Sequence, residues 1–188
     1  MWIFGLFIIS IEGKNVQSKK KAAGNRTVNG NSKKIASAAI PRRIRIRREA
    51  GYHTHHIGTC KNGDQFMAFI VGIPLRKHVS VANRKLVWYA VIHRFNSAGE
   101  HLGTEASLLG KAVLGSELAD AEAIFKDMIG RLGPVTYRDI EVRLFSVRIG
   151  GHAFGLVDAS VPEDGYQRVD LLPNGLAFFP PWNGNYDT

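Results

Sequence analysis

Lys85-Leu86-Val87-Trp88-Tyr89-Ala90-Val91-Ile92-His93-Arg94-Phe95 carries β-branched and aromatic residues at both odd and even positions and holds no proline or glycine. Successive strand residues point to opposite faces, so such a run fits a strand covered on both sides. Upstream, Phe66-Met67-Ala68-Phe69-Ile70-Val71 has the same two-faced character, and Pro74 ends it. The runs His53–Thr59 and Gln65–Ile73 flank Lys61-Asn62-Gly63-Asp64, and Asn-Gly between apolar runs is a strong hairpin signal. Downstream, Asn96-Ser97-Ala98-Gly99 predicts a turn into a weaker strand over Glu100–Leu109.

The period then changes. Leu118, Ala121, Phe125, Met128 and Leu132 recur at three and four residues, which predicts a helix over about Glu117–Leu132. Ser116 is placed to cap it, and Gly133-Pro134 to stop it. Ile140–Ile149 alternates apolar with charged residues and reads as one strand with a wet face. Gly150-Gly151 turns it into His152–Val157, and a last hairpin runs through Arg168–Leu172 and Leu176–Phe179 around Pro173-Asn174-Gly175. The expected fold is α+β: a mostly antiparallel sheet of hairpins with one amphipathic helix packed on it.

Charge divides the chain. Residues 1–50 hold 12 Lys and Arg against Glu12 and Glu49, a net of +10, while residues 51–188 hold 13 basic and 14 acidic residues, a net of −1. The formal +9 therefore describes an N-terminal arm rather than a basic globule. Residues 1–39 are expected to be a disordered basic extension, and 40–188 a single α+β domain. The preferred reading of the arm is an extension foreign to the domain. The rival reading is a tether through residues 1–48 to nucleic acid or to an anionic membrane. In Pro41–Arg48, Ile44 and Ile46 alternate with Arg43, Arg45 and Arg47, as in an edge strand that docks two isoleucines and leaves its arginines in water. The apolar start, Met1–Ile11, is shorter than a bilayer span and has its lysines after it, unlike a signal peptide. With a single cysteine, Cys60, the expected setting is cytoplasmic.

Three features carry candidate chemistry. His53 and His55, two apart, would project from one strand face, and with His93 they form a candidate zinc or iron site next to His56. Cys60 near these histidines invites a nucleophile reading, but no flanking motif supports it, and a plain free cysteine is preferred. Trp182 and Tyr186, among Pro, Asn and Gly in the closing segment, either fold back on the domain or anchor a protein partner.

Gly51-Tyr52-His53-Thr54-His55-His56-Ile57-Gly58, Trp88–Phe95, Tyr137-Arg138-Asp139-Ile140, Phe154-Gly155-Leu156-Val157 and Pro181–Thr188 resemble small bacterial proteins labelled formate hydrogenlyase regulatory protein-like. The resemblance spans about Ile40–Thr188 and implies a regulatory family without supplying site residues. The expected function is a non-enzymatic regulatory or protein-binding domain. The alternatives are an immunity-type protein that blocks a toxin, and a small metal-dependent enzyme using the His53/His55 cluster.

Overall fold

A computed structural model describes residues 39–75, 85–113, 120–161 and 165–188. The strand at Lys85–Phe95 is an inner strand covered on both faces, as its two apolar faces require. We number the strands β1 (Ile44–Ile46), β2 (His56–Cys60), β3 (Gln65–Pro74), β4 (Lys85–Phe95), β5 (His101–Val113), β6 (Val135–Tyr137), β7 (Ile140–Val142), β8 (Phe145–Ile149), β9 (His152–Asp158), β10 (Val169–Leu172), β11 (Leu176–Phe178) and β12 (Tyr186–Asp187). The helix α1 is Ala121–Gly130. One antiparallel sheet has the order β5-β4-β3-β2-β6 and a second β12-β11-β10-β9-β8, while β1 and β7 form a two-stranded ribbon.

Alternation along β3 and β4 sorts their side chains into two cores. Met67, Phe69, Val71, Val87, Tyr89, Val91 and Phe95 pack with Phe154, Leu156, Val169, Leu171, Leu176 and Phe178 of the second sheet. Ile44, Ile46, Ile140 and Val142 of the ribbon join this core. The opposite parity, Phe66, Ala68, Ala90 and Ile92, meets Phe125 and Met128 of α1. The helix thus covers the outer face of one sheet, and the second sheet covers the inner face.

Several boundaries differ from expectation. The predicted single strand Ile140–Ile149 breaks at Arg143-Leu144 into β7 and β8, which belong to different sheets. Val142 stays paired with Ile44, while the Arg143 amide donates to the Gly99 carbonyl (2.8 Å) and its guanidinium meets Glu100 at 2.7 Å. Those bonds turn the chain out of the ribbon. Strand β6 was not expected; it adds to β2 because Gly58 lets the Thr136 carbonyl approach closely. β5 is longer than predicted. At the helix, Asp120 sits in the left-handed region before Ala121 and makes no side-chain cap. Ser116 and Glu117 lie outside the described residues, as do residues 1–38 of the arm. No described helix is long and apolar enough to cross a membrane.

Candidate functional site

The chain's closing segment is a built structure. Pro180 and Pro181 have no amide hydrogen, so the turn after β11 closes with the Trp182 amide donating to the Phe179 carbonyl at 2.9 Å. Asn183 then accepts from the Asn185 amide at 3.1 Å, the local side-chain turn typical of asparagine. Gly184 lies against β1: its carbonyl accepts from the Arg47 amide at 3.2 Å, and a Cβ there would stand 3.0 Å from that nitrogen. Arg47 also donates to Asn185 Oδ1 at 3.0 Å. Tyr186 and Asp187 pair with Phe178 and Ala177 as β12. The closing segment folds back on the domain, and its last residues are strand.

Trp182 and Tyr186 take different places in it. Both are half-buried against the inter-sheet core. Tyr186 donates its hydroxyl to Glu49 Oε2 at 3.0 Å, and burial with the facing carboxylate pushes its pKa up to about 12. Its ring stacks with Tyr52 (6.2 Å between centroids) and stands edge-on to His53 (6.4 Å). Tyr186 also lines an open groove of about 420 Å³ with Tyr166, Phe179, Pro180, Pro181, Asn183, Asn185 and Asp187. Tyr166 and Phe179 lie 5.4 Å apart, and the Arg168 guanidinium sits 5.9 Å over the Phe179 ring. Tyr166 is 49% exposed. Trp182 does not line the groove.

Tyr166, Phe179 and the proline pair are the residues sequence reasoning passed over. Only the fold brings Tyr166 to Phe179. The one local signal was aromatic and proline density at Phe178–Trp182.

The histidines are not arranged as the period-two reading expects. His53 and His55 lie in a turn before β2, not on a strand. The turn is held by side chains: the Glu49 amide donates to Thr54 Oγ1 (3.0 Å) and the Gly51 amide to His55 Nδ1 (2.7 Å). His55 faces His56 and Tyr137, and His53 faces Tyr52 and Tyr186. His93 is elsewhere, fully buried on β4 among Phe69, Phe95, His101 and Phe145. Its Nδ1 lies 2.7 Å from Thr104 Oγ1, which also meets His101 Nε2 at 2.8 Å. Burial, assisted by His101, lowers the His93 pKa to about 3, and burial with the His55 and Arg48 charges lowers that of His56 to about 4. Among the described residues no three His, Cys, Asp or Glu side chains converge as metal ligands. Cys60 is a free thiol whose pKa is raised by burial and by Asp64.

The arginine stripe behaves as an edge strand. Ile44 and Ile46 are buried, Arg43 pairs with Glu141 (3.2 Å), and Arg45 pairs with Asp139 (2.7 Å). Arg48 lies 5.3 Å over the Tyr137 ring, and its amide donates to Asp139 Oδ1 at 2.9 Å. Bonds from Ile44–Glu49 thus reach the segments Gly51–Gly58, Tyr137–Ile140 and Pro181–Thr188. Comparison with known protein families, with curated proteins and with solved structures found no match for this chain.

Proposed function

We propose that the chain is a non-enzymatic, regulatory protein-binding domain that engages its partner through the groove of Tyr166, Phe179, Pro180, Pro181 and Tyr186. The observation that carries this reading is the groove itself. It presents tyrosine and phenylalanine rings with a polar rim of Asn183, Asn185 and Asp187, on a tail stitched to β1 and β11. Rigid aromatic side chains give large contact area at low ordering cost and dominate interface energetics. A tail fixed by paired strands loses little further freedom on binding. The groove's side chains offer aromatic contact area and hydrogen-bonding groups.

The test is affinity capture on the full-length chain from the cells that express it, with Tyr166→Ala alongside. A partner retained by the wild type in stoichiometric amount and lost with Tyr166→Ala, at unchanged melting temperature, supports the reading. A partner retained equally by the variant, or turnover of a small molecule by the purified chain, would overturn it.

A further inference from the structure

Among the described residues β5 and β8 are edge strands of the two sheets, and they touch at a corner closed by four rings. The Phe145 ring of β8 lies parallel on His101 of β5, with 4.5 Å between centroids and 14° between planes. It stands edge-on to His93 (4.9 Å) and Phe95 (5.1 Å) of β4. Both imidazoles share one hydroxyl: Thr104 Oγ1 is 2.7 Å from His93 Nδ1 and 2.8 Å from His101 Nε2. His93 is fully buried, and its Nε2 has no hydrogen-bond partner among the described residues.

A hydroxyl accepts from one ring and donates its single proton to the other, so this chain serves two neutral imidazoles in either direction. A positive charge finds no such provision. The groups facing the pair are Phe69 of β3, Phe95 of β4, Thr104 and the Gly103 backbone of β5, and Phe145 of β8. The titratable groups among these are the two histidines themselves, 6.2 Å apart. Glu100, beside His101 in the chain, is held by Arg143 (2.7 Å) and by Asn96 (2.8 Å). Arg94 and Glu105 stand on the opposite face, where Glu105 meets Arg131. Burial accordingly lowers the pKa of both rings, opposed at His101 by the Gly103 backbone.

Relief comes most cheaply at β8. It has no fully buried side chain, it pairs with β9 alone, and Arg143-Leu144 before it belongs to neither sheet. Lifting Phe145 gives His101 to water. We infer that the His93–Thr104–His101 chain is an acid-released latch on β8: while neutral it seats Phe145, and proton uptake at His101 frees that strand from β5 and β9 with the rest of the fold closed. The closed state holds His101 neutral and the open state binds the proton, so closure is strongest above pH 6.5 and weakens as pH falls below it. The latch is independent of the groove reading.

Native-state hydrogen exchange on the full-length chain, read by NMR and corrected for the intrinsic effect of pH, tests the latch. The β8 amides should be less protected than those of β4 at every pH, as local opening requires. Their protection should fall about tenfold between about pH 7.5 and about pH 5. His101→Phe keeps a ring on Phe145 and removes the proton site, so its β8 protection should hold within about twofold over that range. His101→Gln, which leaves Thr104 a polar neighbour and cannot titrate, should behave alike, and it serves where the phenylalanine variant does not fold. Wild-type β8 protection equal to that of β4, or constant over the range, would overturn the inference. So would the wild-type pH dependence persisting in a folded variant.

Discussion

At Gly58 an added Cβ would lie 2.1 Å from the Thr136 carbonyl oxygen and 3.0 Å from the Tyr137 Cα, both backbone atoms that cannot swing aside. Gly58→Ala is therefore expected to push β6 off β2 and cost about 1–3 kcal/mol, checked by urea denaturation. Since β6 carries Tyr137, the Arg48 guanidinium would lose the ring beneath it. His93 makes the other residue-scale prediction. Above pH 6.5 both folded and unfolded chains hold it neutral, but the native state resists protonation until about pH 3. As pH falls across that window the unfolded chain takes up the proton and the native one does not, so stability falls with pH. His56, lowered to about 4, adds to the same slope. His93→Phe, in a pocket of phenylalanines, should flatten the loss of denaturation midpoint between about pH 7 and about pH 4.5. An unchanged slope would place the acid sensitivity elsewhere.

At the scale of elements, α1 reaches the sheet through two buried side chains, Phe125 and Met128. Phe125→Ala should cost about 3–5 kcal/mol and lower the melting temperature, since the outer faces of β3 and β4 would lose their cover. A melting curve within a degree or so of wild type would contradict that packing. The sequence-level misreadings have separate physical causes, a shift of apolar parity in one segment and side-chain bonds to backbone amides in another. In Ile140–Ile149 the apolar positions pass from Ile140, Val142 and Leu144 to Phe145, Val147 and Ile149, a parity shift where the chain, with Arg143 bonded to Gly99 and Glu100, leaves the ribbon. His53-Thr54-His55 alternates too, yet Thr54 and His55 bond the backbone amides of Glu49 and Gly51, and side chains that satisfy nearby amides favour turns over ladders. The two-faced β3 and β4, the Asn62-Gly63 and Gly150-Gly151 hairpins and the stripe of α1 were legible because each is a local pattern.

For the whole molecule, the antiparallel α+β class was readable in advance, and the second five-stranded sheet facing the first was not. Its strands are short, and nothing local says that β8 to β12 form a layer of their own. The candidate site was legible by half. Tyr186 stood out as a terminal aromatic, whereas Tyr166 needed the fold to bring it to Phe179. The same long-range closure predicts what removing the tail will do. A chain ending at Pro181 loses β12, the Arg47–Gly184 backbone bond, and the Tyr186 hydroxyl from Glu49. It also uncovers the core patch now covered by Trp182 and Tyr186. Two half-buried aromatic side chains contribute on the order of 1–3 kcal/mol by area alone. The buried hydroxyl of Thr54, 3.5 Å from the Tyr186 hydroxyl, loses that neighbour as well. The truncated chain should therefore melt several degrees lower and unfold at reduced urea concentration, with β1 the first strand to gain hydrogen exchange. If the truncated chain kept full stability and lost only partner capture, the tail would be a separate anchor resting on the fold, and the groove's rigidity would need another source.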